Sequence, residues 1–161
     1  MSLGPALVKL RALSWAERRL ALEALAWLAV MRLAIRTLKF RRIVQWLRLA
    51  QGETPTQPAP DPGAAERVGW AVRGAAARTP WESACLVQAL AAARMLQGRG
   101  LPATLYLGAA RKPDRREELH AHAWLRCGQQ VLTGENESRR FAVVAAFRTP
   151  GGVRAPERLK D

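Results

Sequence analysis

The chain predicts an α+β domain, helices first and a small antiparallel sheet after them. Apolar residues recur at helical spacing from Trp15 to about Gly98, the period changes to alternation after Gly100, and Gly-rich or charged joints separate the later runs. With 161 residues, 49% of them hydrophobic, there is matter for one core, so residues 1–161 read as a single domain.

Ser14 and Glu17 form a capping-box signature and open a first helix from about Trp15 to Leu38. Its apolar residues fall on two sides, which implies packing on more than one neighbour. The uninterrupted apolar run, Ala24 to Met31, is far below the ~18 to 20 residues of a membrane span. A second helix is expected over Phe40 to Ala50, with Phe40, Ile43, Val44 and Leu47 on one face, completing a helical subregion over 14–50. Residues 51–63, with four prolines and no apolar run, read as a loop or linker. A short helix over about Ala64 to Ala77 follows, Val68 and Val72 facing inward.

The best-specified helix runs from Thr79 to Gly100. Thr79 reads as its N-cap, Pro80 suits the first helical position, Glu82 completes a capping box, and Gly98 and Gly100 end it. Trp81 and Cys85 share a face, and the thiol near the positive end of the helix dipole favours a thiolate. Beyond it, Leu101 to Ala109 has strand composition, Arg111 to Glu118 is a hairpin connection, and Leu119 to Cys127 alternates. That alternation puts His120, His122, Trp124 and Arg126 on one face and Leu119, Ala121, Ala123, Leu125 and Cys127 on the other. Gly128 and Gln129 turn the chain into Gln130 to Thr133, and Phe141 to Phe147 is a last strand. Residues 148–161 are expected to be a disordered tail.

Formal charge is +13, with a pI near 11.5. Such a balance raises nucleic acid as a partner, but 22 Arg against four Lys in an Ala-rich chain reads as compositional bias. No aromatic-interleaved basic strand, finger or helix-turn-helix pattern is present, so no nucleic acid is expected. The first 50 residues hold ten Lys or Arg against two Glu, a balance of +8. This half could meet an acidic partner or lipid headgroups; a solvated arginine face is the plainer reading. Two cysteines make no disulfide framework and no signal peptide is evident, so a reduced, cytoplasmic protein is expected.

A cysteine on a helix followed by a histidine on a later strand is the order of papain-like and transglutaminase-like cysteine enzymes. Several pieces then combine: W-x-x-x-C-L-x-x-x-L (Trp81, Cys85, Leu86, Leu90), R-G-x-P-A (Arg99, Gly100, Pro102, Ala103), a strand ending at Gly108, and H-A-W followed by G-x-x-V-L. Together they resemble the stand-alone leader peptidase of lasso-peptide biosynthesis, which has a transglutaminase-like, papain-type fold. The arginine-rich helices ending in Phe40, Arg41 and Arg42 are similar too, so the resemblance covers roughly residues 14–147, with a peptidase core over 64–147.

The resemblance implies a cysteine peptidase that removes the leader from a ribosomally made precursor peptide. Cys85 would be the nucleophile, His122 the general base, and the backbone N–H of Cys85 an oxyanion donor. The orienting third member departs from the expected Asp: Glu135 is the choice, Asn136 the rival, and a backbone carbonyl could serve instead. No cofactor is implied. The implied partners are the precursor, a separate leader-recognition protein that adds the leader as a β-strand, a cyclase and an export transporter.

Two other classes compete. His120, His122 and Cys85 could ligate a metal, although no paired-ligand motif such as H-E-x-x-H or C-x-x-C is present. Alternatively the chain is a non-catalytic scaffold of a peptide-modifying complex, docking through its arginine-rich helices. Cys127, by its parity, reads as a core residue, Trp81 and Trp124 as packing residues, and His120 as a neighbour that tunes charge or contacts substrate.

Overall fold

The computed structural model describes residues 13–79, 84–111, 119–135 and 140–150. Within them α1 (Trp15–Thr37), α2 (Phe40–Trp46), α3 (Pro62–Ala76) and α4 (Cys85–Gln97) pack with a five-stranded antiparallel sheet in the order β1-β5-β2-β3-β4. The strands are β1 (Ala50–Gln51), β2 (Thr104–Arg111), β3 (Leu119–Cys127), β4 (Gln130–Thr133) and β5 (Ala142–Arg148). The α+β expectation holds.

α1 starts as its sequence dictates. The Ser14 hydroxyl accepts from the Glu17 N–H and the Glu17 carboxylate accepts from the Ser14 N–H at 2.7 Å. Those bonds hold the Glu17 carboxyl below its ordinary value. Ala24, Leu28, Met31 and Ala34 form the buried side of α1, against α3 and α4. α3 opens on Asp61, whose carboxylate accepts from the Ala64 N–H at 2.8 Å, with Pro62 at the first position, and it buries Val68 and Val72 as expected.

α2 is shorter than its periodicity suggested. Arg48 turns into the left-handed region at φ 52°, and the Leu49 N–H bonds back to the Val44 carbonyl at 2.9 Å, a helix-closing pattern. The chain then leaves the helix, Leu49 is buried, and Ala50 and Gln51 pair with Arg148 and Phe147 as an edge strand rather than ending a helix.

α4 lies at the centre. Ala89 to Ala93 are fully buried, with Leu90 and Leu96, and the helix packs against α1, α3, β2, β3 and β4. A helix apolar all round can be stable only if surrounded in this way. Its sheet-side partners are Leu105, Ala123, Leu125 and Cys127, the parity expected for β3. Cys127 is fully buried and its thiol donates to the Pro102 carbonyl at 3.2 Å.

The proline-rich stretch 51–63 does not behave as a linker. Its first half is a strap bonded to the outer side of the sheet around Arg126, which is only 8% exposed. The Arg126 guanidinium donates to the carbonyls of Thr54 (2.8 Å) and Gly128 (2.6 Å) and to the Tyr106 hydroxyl (3.0 Å). Tyr106 in turn donates to Glu53 at 2.5 Å, and Thr54 bonds Thr104 through both its N–H and its hydroxyl.

The end of the chain is also better tied than expected. Arg148 belongs to β5, and Thr149 is 3% exposed, exchanging backbone and side-chain bonds with Ala103. The remainder of the expected tail, 151–161, and most of the β2–β3 connection, 112–118, lie outside the described residues.

Candidate active site

Cys85 is the first residue of α4, one turn earlier in its helix than the sequence predicted. The residue before the helix is Ala84, with no side-chain cap, and not Thr79. Thr79 closes the preceding helix instead: its hydroxyl donates to the Ala76 carbonyl at 2.9 Å. Ser and Thr make such backward bonds as readily as caps, so the local pattern was ambiguous. Pro80, Trp81 and Glu82 of the expected capping box lie outside the described residues. At the first helical position the Cys85 thiol stands beside N–H groups that have no intrahelical acceptor, where the dipole's positive end is strongest. The side chain is partly buried against the core.

His122 sits on β3, whose other parity packs on α4. The helix carrying Cys85 and the strand carrying His122 are therefore neighbouring elements, while the His122 side chain lies with Trp124 and Arg126 on the β3 face opposite the one that packs on α4. His122 is 9% exposed, and its Nε2 lies 3.0 Å from the Gly134 carbonyl oxygen. A carbonyl can only accept, so Nε2–H is the donor of this bond, and in the neutral ring Nδ1 is the nitrogen with the lone pair. The tautomer is set by backbone.

Two rings hold the imidazole plane. Phe141 stacks on it at 5.0 Å and 30°, and Trp124 at 6.0 Å and 22°, while Trp124 stacks on Tyr106 at 5.3 Å. Trp124 is a packing residue, as expected, and what it packs on includes the histidine. In the sequence Phe141 marks only the start of a strand; H-A-W parity signals Trp124, but nothing local signals Phe141. Gly108, opposite His122 in the β2–β3 register, makes room for the Trp124 ring and the Phe141 side chain: a Cβ there would lie 2.7 Å from the Trp124 ring and 2.8 Å from the Phe141 Cβ.

His120 is exposed, edge-on to Phe141 at 5.3 Å. Among the described residues no group of three His, Cys, Asp or Glu stands close enough to hold a metal ion, so His120, His122 and Cys85 do not form the metal site considered from sequence. Glu135 follows Gly134 and is exposed; Asn136 lies outside the described residues. Burial pushes the Cys127 thiol above its ordinary value, with the Arg126 charge offsetting part of that rise. The two cysteines thus occupy unlike environments, one at a helix terminus and one sealed in the core.

In comparisons with known proteins, residues 26–146 match the family model described as Transglutaminase-like superfamily. The matched span includes Cys85, His122 and Gly134. Neither the curated proteins nor the solved structures give a significant match.

Proposed function

Because the chain belongs to the transglutaminase-like superfamily, which includes cysteine peptidases, we propose that it is the cysteine peptidase that removes the leader from a lasso-peptide precursor. The observation that carries the catalytic reading is the imidazole of His122 held through Nε2 by the Gly134 carbonyl, on a strand packed against the helix that begins at Cys85. The combination of Cys85, Arg99-Gly100, Gly108 and His122-Ala123-Trp124 supports the narrower assignment to leader removal.

His122 Nδ1 takes the proton of the Cys85 thiol, and the sulfur attacks the carbonyl carbon at the leader–core junction. The first-turn N–H groups of α4, that of Cys85 among them, stabilise the developing oxyanion. The C–N bond breaks as His122 returns the proton to the departing amine. The core peptide leaves with a free N-terminus and the leader stays as a thioester. Water, deprotonated by His122, hydrolyses the thioester, releasing the leader carboxylate and regenerating the thiol. The Gly134 carbonyl orients the ring, and Glu135 beside it adds negative charge near the imidazolium. A separate leader-recognition protein presents the precursor, and a cyclase then uses the freed amine.

The test is mass spectrometry of precursor incubated with this chain and the leader-recognition protein. Intact leader and core fragments are expected, and Cys85→Ala is expected to abolish them. Cleavage undiminished by Cys85→Ala would overturn the assignment, as would an intact precursor with all components present.

A further inference from the structure

The outward side of α1 is not used in the cleavage proposed above and is unlike a solvent-facing helix. Trp15 (74% exposed), Leu22 (65%), Leu25 (38%), Val30 (41%) and Leu33 (64%) stand on it. Trp15, Leu22 and Leu33 are close to whole numbers of turns apart, so they form one stripe along a helix about 35 Å long. The sequence implied two packing sides for α1; within the described residues one is met by α3 and α4, and this one faces out.

The charged residues that are exposed on α1, and on α2 which follows it, are all cationic. Arg19 and Arg36 are exposed on α1, and Arg41 and Arg42 on α2. Both carboxylates of α1 are engaged elsewhere, Glu17 in the helix cap and Glu23 in a two-pronged bond to Arg99 at 3.0 and 2.7 Å. Trp46, half exposed on α2 and packed on Trp27 of α1 at 6.4 Å, is an indole of the kind enriched at the water–lipid boundary.

We propose that this surface docks on an anionic lipid bilayer, with α1 lying in the plane of the interface. The Trp15, Leu22 and Leu33 side chains enter the boundary between headgroups and acyl chains, and the arginines meet lipid phosphates. An apolar stripe with cations at its margins suits a fluid plane; between Arg19 and Arg36 that side of α1 offers no polar side chain for the paired hydrogen bonds of a protein interface. No described helix is long and apolar enough to cross a membrane, so the contact is peripheral.

Co-sedimentation of the full chain with vesicles tests this directly. Binding is expected on phosphatidylcholine vesicles containing phosphatidylglycerol, and on the order of tenfold or more weaker binding on phosphatidylcholine alone or at high salt. Leu22→Glu with Leu33→Glu should lower binding to the anionic vesicles by at least about tenfold. Both positions are exposed, so an unchanged thermal melt verifies the fold, and Arg41→Glu with Arg42→Glu gives an independent second loss. The proposal is overturned if the chain ignores anionic vesicles, if Leu22→Glu with Leu33→Glu binds them equally well, or if those changes instead dissociate a dimer of this chain.

Discussion

At Gly134 two demands meet in one residue: its carbonyl receives the His122 Nε2 proton, and its φ of 75° is one that L side chains rarely adopt. A Cβ there would also approach Trp124 to 2.9 Å and His122 Nε2 to 3.0 Å. Gly134→Ala is therefore expected to destabilise the fold by about 1–3 kcal/mol and to lower kcat, read from urea unfolding and steady-state cleavage. An alanine variant with wild-type stability and kcat would show that the φ and the close contacts at Gly134 do not constrain the histidine. Glu135→Gln, which keeps shape and removes charge, should cost less than about tenfold in kcat, against complete loss for His122→Ala. A larger loss would make Glu135 the orienting group. The sequence left Glu135, Asn136 and a backbone carbonyl all open for good physical reason: a carbonyl has no side-chain signature, whereas the thiol and the imidazole do. Cys85 and His122 stand out in the sequence because chain order and residue type converge on them, although the helix start expected at Thr79 lies elsewhere.

Among the elements, β3 and β4 were readable to the residue because alternation and the Gly128 turn specify them; the start of α4 and the strap were not. Thr79 carries a helix-start pattern yet serves the end of α3, and 51–63 has no apolar run yet is anchored by a buried guanidinium contributed from β3. Long-range polar anchoring leaves no local periodicity. Arg126→Ala should lower unfolding stability by about 2–4 kcal/mol, because it strands the Thr54 and Gly128 carbonyls and the Tyr106 hydroxyl. Arg126→Lys should recover only part, since an ammonium cannot reproduce the fork. Equilibrium urea denaturation of both variants checks this, and a loss below about 0.5 kcal/mol for Arg126→Ala would mean the strap is not held by these bonds.

Across the whole molecule, α+β order was visible in the change of period at Gly100, and the family match spans both the helical layer and the sheet. The second apolar side of α1 was visible too, although not what it meets. Burial raises the Cys127 thiol, and burial together with the bond to Glu53 raises Tyr106. For both groups the neutral form is favoured in the folded state, so their contribution to stability is complete below the unfolded values of about 8.5 and 10 and falls as pH rises through the folded ones. The thermal midpoint should accordingly decline above about pH 9, and Cys127→Ala should reduce that slope. An unchanged slope would show that the thiol is not sealed in the core.

The central claim, that Cys85 is activated by His122, is tested most directly by brief iodoacetamide treatment near neutral pH, with alkylation of each cysteine followed by mass spectrometry. Cys85 should react well before buried Cys127, and His122→Ala should slow Cys85 on the order of tenfold or more while leaving Cys127 unchanged. If Cys85 reacts no faster than Cys127, or at the same rate without His122, the two residues are not a catalytic pair.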